Sequence, residues 1–399
     1  MKPIFLLVFL LFFFTAKLYS QTKKEIYQFS QDINHKIEKD TVKWKYQSGA
    51  AAYSISGYYK KALETWDKNG AKIPVITKED SLYFKKFHAE NAADYIVRRS
   101  KTEKVIMINE AHNNARHRVF TTSILQGLYN NGFRFLGIEA LNDTLINKRE
   151  FPVLESGFYT QEPQFGNLIN EAIKIGFTVF GYEDFNTPNL NGKEREIKQA
   201  QNIAKWIEKN PEGKFLIHCG YDHIIEGIPG IKSWEKAMAG RITEFTGINP
   251  FTIDQIQYSE RGDSKLNQPY IQMLNLNYPA ILVDSNNKTF NGAIDNPKKI
   301  DCSIIHPITK YDNERPDWMT LSGKRKIYNI SNSKIKEFPV LVMAYRINEL
   351  EKDGTPADII EILDNTSKGS LILDKGKYKI VIKNKDYKIT NEFLHTVKN

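Results

Sequence analysis

The clearest hydrophobic pattern in the chain begins at Val105 and ends at Glu139. Its apolar positions recur first at strand, then at helix, then again at strand spacing: Val105–Ile108, then Phe120 with Ile124 and Leu128, then Phe133–Ile138. The Asn131-Gly132 pair is typical of a helix end. The pattern therefore predicts a strand–helix–strand unit, whose two strands are expected to be parallel and connected in the right-handed sense.

The same order of elements recurs twice further along the chain. A helical stripe between Phe165 and Ile173 precedes a predicted strand, Thr178–Tyr182. A second stripe, from Ile197 to Ile207, precedes another predicted strand, Lys214–Ile217. Strands that alternate with helices are typical of an α/β fold. We therefore expect an open, largely parallel sheet flanked by helices.

Ionisable residues follow four successive predicted strands. They are Glu110 with His112, then Glu139, then Glu183, and finally His218 with His223. A single carboxylate at such a position is as often a helix cap as a functional group. Four in series at the edge where open α/β sheets bind ligands predict a site. Gly220 permits a tight turn that could bring His218 and His223 to one point.

The remaining segments divide the chain into four parts. Residues 1–20 read as a secretory signal peptide, because Lys2 and a short apolar run precede a small residue. Residues 21–100 are expected to form a helical layer, with Tyr53–Trp66 and Leu82–Val97 as helical stretches. Residues 101–336 would form the α/β domain. Residues 337–399 predict a small β-rich domain with a hairpin turn at Asp374-Lys375-Gly376-Lys377.

Composition and export narrow the function. We expect an exported protein, periplasmic or secreted, with no transmembrane segment after the signal peptide is removed. Removal of residues 1–20 lowers the formal net charge from +9 to +7, because Lys2 and Lys17 are lost. Lysines are spread along the chain and no nucleic-acid module is present, so we expect no nucleic-acid partner. Cys219 and Cys302 could pair in an oxidising compartment, but two cysteines do not make a disulfide scaffold.

Common hydrolase signatures are missing from the sequence. It contains no G-x-S-x-G, no H-E-x-x-H and no phosphate-binding G-x-x-x-x-G-K-[ST]. Their absence argues against the common esterase fold, ordinary zinc proteases and nucleotide hydrolases.

Two short motifs carry a resemblance to a known superfamily. Glu110-Ala111-His112 and Gly220-Tyr221-Asp222-His223 resemble its GExH … GxxH pattern. Its members include erythromycin esterase-like enzymes, ChaN-like haem-uptake lipoproteins and TraB-type proteins. The segment Ser233–Thr252 is similar to the helix and strand after the last histidine in the ChaN and erythromycin-esterase branch. The resemblance covers roughly residues 103–258. The family's glycine before the glutamate is Asn109 here, and Asn tolerates unusual backbone angles.

The strand-end residues suggest several roles. Their imidazoles and carboxylates could hold a divalent metal, namely zinc, manganese, cobalt or iron. The expected ligands are His112, His218, His223 and Glu139. Without a metal, a His–Glu pair could activate water directly. In either case His112 would act as general base or ligand beside Glu110. Glu139 and Glu183 would polarise the site, and His218 and His223 would bind metal or stabilise an oxyanion.

The resemblance implies two functions. The erythromycin-esterase and TraB branches imply a hydrolase that acts on an ester, amide or peptide bond of a small molecule or peptide. The ChaN branch implies a haem- or iron-binding protein of the cell envelope, to which Tyr182 and Tyr221 could contribute ligands. A third alternative is an interaction module whose site has lost activity.

Overall fold

The computed structural model describes residues 25–292 and 296–398, so the predicted signal peptide lies outside the described residues. In chain order the helices are α1 Ser30–Lys39, α2 Lys45–Ile55, α3 Tyr59–Asp67, α4 Lys78–Phe84, α5 Ala92–Arg99, α6 Arg116–Asn130, α7 Ile146–Arg149, α8 Pro163–Ile175, α9 Gly192–Lys209, α10 Met238–Thr246 and α11 Pro269–Leu274. The strands are β1 His88–Asn91, β2 Val105–Glu110, β3 Phe133–Ile138, β4 Thr178–Gly181, β5 Lys214–Gly220, β6 Phe251–Asp254, β7 Ala280–Val283, β8 Cys302–Ile305, β9 Tyr311–Asp312, β10 Arg315–Pro316, β11 Lys326–Asn329, β12 Val340–Arg346, β13 Asp358–Ile362, β14 Ser370–Leu373, β15 Gly376–Asn384 and β16 Ile389–Val397.

An eight-stranded sheet organises the described residues, and the predicted α/β fold is confirmed. Its strand order is β1-β7-β8-β6-β2-β5-β3-β4. The six strands from β8 to β4 are parallel. On the β8 side, β7 runs antiparallel to β8 and β1 runs antiparallel to β7, so only β7 opposes the direction of the other strands. Strand β5 lies between β2 and β3, although it follows both in the chain. Consequently the ends of β2 and β3 are not direct neighbours.

Helices cover both faces of this sheet. Strand β2 is buried along its whole length, because its side chains alternate between two apolar layers. Ile106 and Ile108 pack among residues of α5, α6 and α8, whereas Val105 and Met107 pack with residues of α9 and α10. Burial on both faces explains the nearly continuous apolar run that marked β2 in the sequence.

The N-terminal layer is only partly helical as predicted. The stretch Tyr53–Trp66 forms two helices, which break at Gly57, where φ is +83°. A Cβ at Gly57 would lie 2.6 Å from the carbonyl oxygen of Ile359, so glycine also permits close packing on the β-rich part. Within Leu82–Val97, the segment His88–Asn91 forms strand β1 instead of helix, because it pairs with β7 at the edge of the sheet.

The C-terminal part is β-rich, as the sequence indicated. Strands β12, β13, β15 and β16 form one antiparallel sheet in the order β13-β12-β15-β16. The hairpin predicted between β14 and β15 is wrong, because β14 pairs with β11 and β15 pairs with β12 and β16. Strand β12 pairs with β15 over seven residues, a longer ladder than the four-residue β14 could offer. Along residues 25–292 and 296–398, none of the helices has the length and hydrophobicity to span a bilayer.

Candidate functional site

The carboxyl ends of the parallel strands lie along one edge of the sheet. Strand β2 ends at Glu110, β5 carries His218 and ends at Gly220, and β3 ends one residue before Glu139. Across the ladders Glu110 is in register with Gly220, and Ile138 is in register with His218. The structure thus brings the sequence-predicted residues to one edge, where they form two ionic clusters.

The first cluster surrounds the fully buried guanidinium of Arg118, on α6. Nε and Nη2 of Arg118 each donate to a carboxylate oxygen of Glu110 at 2.6 Å, and Nη1 donates to Glu162 at 2.9 Å. Nδ1 of His112 lies 3.0 Å from Glu110, and Nε2 of His218 lies 2.9 Å from it. We call these five residues the Arg118 cluster.

Glu110 is held ionised in this cluster. Burial alone would raise its pKa, but Arg118 and the hydrogen bonds from His112 and His218 hold the pKa of Glu110 well below its usual range. An ionised carboxylate only accepts hydrogen bonds. The proton shared with His112 therefore sits on Nδ1, so that Nε2 is the ring nitrogen that can accept a proton.

The ring of His112 is oriented by two aromatic side chains. It stacks on Tyr159 with 3.9 Å between ring centroids and meets Tyr221 edge-on at 5.0 Å. The His112 side chain is 18% exposed, whereas Glu110 behind it is 2% exposed. Within the described residues Nε2 of His112 has no hydrogen-bond partner. The ring is therefore fixed by its Nδ1 side, and its Nε2 side faces Gly220, where an added Cβ would lie 2.7 Å from Nε2.

The second cluster surrounds Arg195, on α9. Nε of Arg195 donates to Glu183 at 2.7 Å, and Nη2 donates to Glu139. Nε2 of His223 lies 3.2 Å from Glu139, and its Nδ1 lies 2.8 Å from the fully buried Glu196. We call these five residues the Arg195 cluster. The Arg195 side chain is 35% exposed, so this cluster reaches the surface.

His223 is a buried imidazolium between two carboxylates. Burial opposes its charge, but Glu139 and Glu196 raise the pKa of His223 to about 10. Nη1 of Arg195 also lies 3.2 Å from Nε2, a contact that would suit a neutral ring. We favour the charged ring because a carboxylate accepts at each of its nitrogens. His223 therefore serves as a fixed cation, and His218 and His223 belong to different clusters instead of meeting at one point.

Gly220 brings the two clusters into contact. Its backbone N–H donates to Oε2 of Glu139 at 2.6 Å. A Cβ at this position would lie 2.4 Å from Cε1 of His112 and 3.2 Å from Oε2 of Glu139. Its φ of −86° is ordinary, and Tyr221 carries the positive φ of the turn, at +43°. Glycine is thus needed here for the close approach of the His112 ring.

Asn109, the residue before Glu110, joins three segments at this edge. Its Nδ2 donates to the carbonyl of Tyr221 at 2.9 Å and to Asp254 at 2.7 Å. Its Oδ1 accepts from the backbone N–H of Gln255 at 2.7 Å. The asparagine therefore fixes the end of β2 to β6 and to the loop after β5.

Sequence reasoning missed the two central arginines and their buried partners Glu162 and Glu196. One signal was present, because Glu196 continues the apolar stripe of Ala200, Ile203 and Ile207 on α9. A charged residue in phase with a buried stripe indicates a buried ion pair. No comparable pattern distinguishes Arg195 in the sequence, since it lies off that stripe.

Two residues at the start of α6 have structural contacts. Nη1 of Arg116 donates to the carbonyl of Pro307 at 2.5 Å. Nδ1 of His117 accepts from the N–H of Ala111, and Nε2 lies 2.6 Å from Ser259. Burial lowers the pKa of His117 to about 3, so this ring is neutral. The contacts of both residues hold the loop that carries His112 in place.

The tyrosines expected for haem differ in access. Tyr182 is 1% exposed, and its hydroxyl donates to the carbonyl of His218 at 3.0 Å. Tyr221 is partly exposed and lies against both His112 and Trp66, the latter from α3 of the N-terminal layer. Cys219 and Cys302 are buried free thiols, and burial raises the pKa of each well above its usual value.

The donor set does not fit the predicted divalent metal. Among the described residues there is no group of three or more histidine, cysteine, aspartate or glutamate side chains arranged to hold one. The carboxylates are instead bound to arginines: Glu110 to Arg118, and both Glu139 and Glu183 to Arg195. Each ring nitrogen of His223 is likewise paired with a carboxylate, Nε2 with Glu139 and Nδ1 with Glu196. Metal binding stays a prediction to be tested by elemental analysis.

Comparisons with known proteins give distant structural similarity. No family model and no curated protein matches the sequence. The chain is similar to the type III effector HopBA1 at 13% identity and a TM-score of 0.30, over 45% of this chain and 94% of that one. It is similar to RRSP, a MARTX toxin effector domain from Vibrio vulnificus CMCP6, at 14% identity and 0.28, over 65% and 48% of the chains.

A third similarity is to the C-terminal region of Pasteurella multocida toxin. The identity is 10% and the TM-score is 0.27, over 89% of this chain and 58% of that one. Sequence identities and TM-scores this low do not assign the chain to a family. The functional proposal below therefore starts from the geometry of the site.

Proposed function

We propose that the strand-end site hydrolyses an ester, amide or peptide bond by general-base catalysis. The observation that carries the proposal is the pairing of His112 with Glu110. Nδ1 of His112 is anchored on a buried, ionised carboxylate, while Nε2 lies beside Gly220 and has no hydrogen-bond partner in the described residues. A base oriented by a buried carboxylate is the arrangement by which a histidine activates water or a nucleophile.

In the proposed reaction Nε2 of His112 takes a proton from water. The water oxygen then adds to the carbonyl carbon of the substrate. The imidazolium that forms is stabilised by Glu110, which stays ionised because Arg118 pairs with both of its oxygens. When the tetrahedral intermediate collapses, the same ring returns the proton to the leaving group.

The Arg195 cluster would line the site on the side opposite the Arg118 cluster. Glu139 is tied to Arg195 and to the N–H of Gly220, so its position beside His112 is fixed. The partly exposed guanidinium of Arg195 can offset negative charge on a bound substrate. Neither role requires a metal ion.

The resemblance to erythromycin esterase-like and TraB-type proteins supports the bond class. Glu110 and His112 occupy the first motif of that pattern, and they form the pair that the proposed mechanism uses. With the predicted signal peptide, we propose an exported hydrolase, periplasmic or secreted, with a small-molecule or peptide substrate. Of the two tyrosines expected for the haem-binding alternative, Tyr182 has a buried hydroxyl that is already hydrogen-bonded to the carbonyl of His218.

The test is hydrolysis of a panel of p-nitrophenyl acyl esters and peptide p-nitroanilides by three proteins. We expect His112→Ala to lower kcat/KM by about 10²-fold or more, because it removes the general base. His35→Ala, an exposed histidine on α1, is the matched control and should match wild type. Equal activity of wild type and His112→Ala across the panel would contradict the proposal.

A further inference from the structure

Tyr159 lies beside the proposed base, His112, and its hydroxyl group has no evident structural role. The residue begins the short 3₁₀ turn Tyr159–Gln161, between α7 and α8. Its ring lies nearly parallel to His112, with 3.9 Å between centroids and 19° between planes. The stacking explains the ring but not the hydroxyl, because phenylalanine would stack equally well.

The hydroxyl groups of two other, buried tyrosines donate hydrogen bonds within the protein. Tyr182 donates to the carbonyl of His218 at 3.0 Å, and Tyr59 donates to Glu162 at 3.0 Å. Within the described part of the chain the hydroxyl of Tyr159 has no hydrogen-bond partner, and it is not among the enclosed, unpaired polar atoms. It is therefore accessible to solvent and free to bind a substrate atom.

Charged groups of both clusters act on this hydroxyl. Its electrostatic partners are Glu110 and Arg118 of one cluster and Glu139 and Arg195 of the other. Burial, reinforced by the two carboxylates, raises the pKa of Tyr159 above its usual value. The phenol therefore stays protonated at neutral pH and is a hydrogen-bond donor.

The turn that carries Tyr159 is held rigidly against the site. The carbonyl of Tyr159 accepts from the N–H of Glu162 at 3.1 Å, and Glu162 is bound to Arg118. A Cβ at Gly157 would lie 1.9 Å from the carbonyl oxygen of Ala140, so the turn packs directly on the residues after Glu139. Rigid placement is what a donor needs to stabilise a transition state.

We propose that Tyr159 is a catalytic residue whose hydroxyl donates a hydrogen bond to the carbonyl oxygen of the substrate. The inference rests on the proposed hydrolase function. As water adds to the carbonyl carbon and its proton moves to Nε2 of His112, the C=O electron pair moves onto oxygen. Tyr159 stabilises that oxyanion without giving up its proton. Collapse re-forms the carbonyl and breaks the bond to the leaving group, which takes the proton from His112.

The test is Tyr159→Phe, which keeps the stacked ring and removes only the hydroxyl. For a panel ester or anilide that wild type hydrolyses, we expect kcat to fall by about 10²- to 10³-fold, as for other lost oxyanion donors. KM should change by less than about threefold, because the bond forms mainly in the transition state. Tyr328→Phe is the matched control, since Tyr328 on β11 also stacks on a histidine, His395 on β16, with 3.6 Å between ring centroids, and neither residue belongs to the two clusters.

The outcomes separate this inference from the proposed function. Full kcat in Tyr159→Phe beside an active wild type and an inactive His112→Ala would overturn the role of Tyr159 alone. A raised KM with unchanged kcat would also overturn it, because it would indicate ground-state binding only. Wild type no more active than His112→Ala would overturn both proposals. Circular dichroism and thermal melting of Tyr159→Phe would verify that its fold is intact.

Discussion

The charge of His223 predicts a loss of stability at alkaline pH. The pKa of this ring is raised from 6.5 to about 10 in the folded protein. A group with a raised folded pKa contributes its full stability below the unfolded pKa and loses it as pH rises through the folded pKa. We therefore expect the free energy of unfolding to be highest near pH 6 and to fall between about pH 6.5 and 10.

The difference between 6.5 and about 10 sets the magnitude. Each unit of pKa corresponds to about 1.4 kcal/mol, so the contribution of His223 is at most about 5 kcal/mol. The side chain is only 5% exposed, which limits screening by solvent. Much of this stabilisation depends on Glu196, which is fully buried and hydrogen-bonded to Nδ1 of His223.

Urea denaturation at pH 6, 8 and 10 is the assay, on wild type and two variants of α9. Glu196→Gln removes one of the two carboxylates that raise the pKa of His223. We therefore expect the free energy of unfolding of this variant to fall at a pH closer to neutral than in wild type. Glu208→Gln, an exposed position on the same helix, should behave as wild type. A wild-type free energy of unfolding that is flat from pH 6 to 10 would refute the reasoning, as would equal pH dependence in the two variants.

Two further predictions concern the clusters themselves. Gly220→Ala would place a methyl group 2.4 Å from the His112 ring, so we expect loss of turnover. Gly376→Ala, where the new methyl group would have no neighbour closer than 3.5 Å, should leave turnover unchanged. Normal turnover in Gly220→Ala would contradict the close packing. Arg118→Met would leave buried carboxylates unpaired, and we expect urea denaturation to show a loss of about 3–5 kcal/mol. The exposed Arg134→Met should lose much less, and an equally small loss in Arg118→Met would argue against its central role.

Much of the large sheet was predictable because its central strands, such as β2, are buried on both faces. Such strands are nearly continuous apolar runs, and the helices between them have clear apolar stripes. Strand β16, Ile389–Val397, was missed because exposed and partly buried residues alternate along it without a strong apolar run. The pairing of β14 with β11 depends on a strand distant in sequence, so local turn signals at Asp374–Lys377 indicated the wrong neighbour.

The site was predictable as a set of residues but not as two clusters. Glu110 and His112 are two residues apart, so their contact follows from the loop after β2. The separation of His218 from His223 depends on the strand order, which places β5 between β2 and β3. The arginine partners depend on which faces of α6 and α9 point toward the strand ends, and strand-end motifs carry no information about that.

The central claim is that the Glu110–His112 pair activates water without a metal ion. Its most direct test is panel turnover by protein that has been treated with chelator and verified as metal-free by elemental analysis, for wild type and His112→Ala side by side. We predict that metal-free wild type retains its turnover and that His112→Ala loses it. Loss of wild-type turnover on chelation with recovery on adding zinc or manganese, or equal turnover by the two proteins, would contradict the claim.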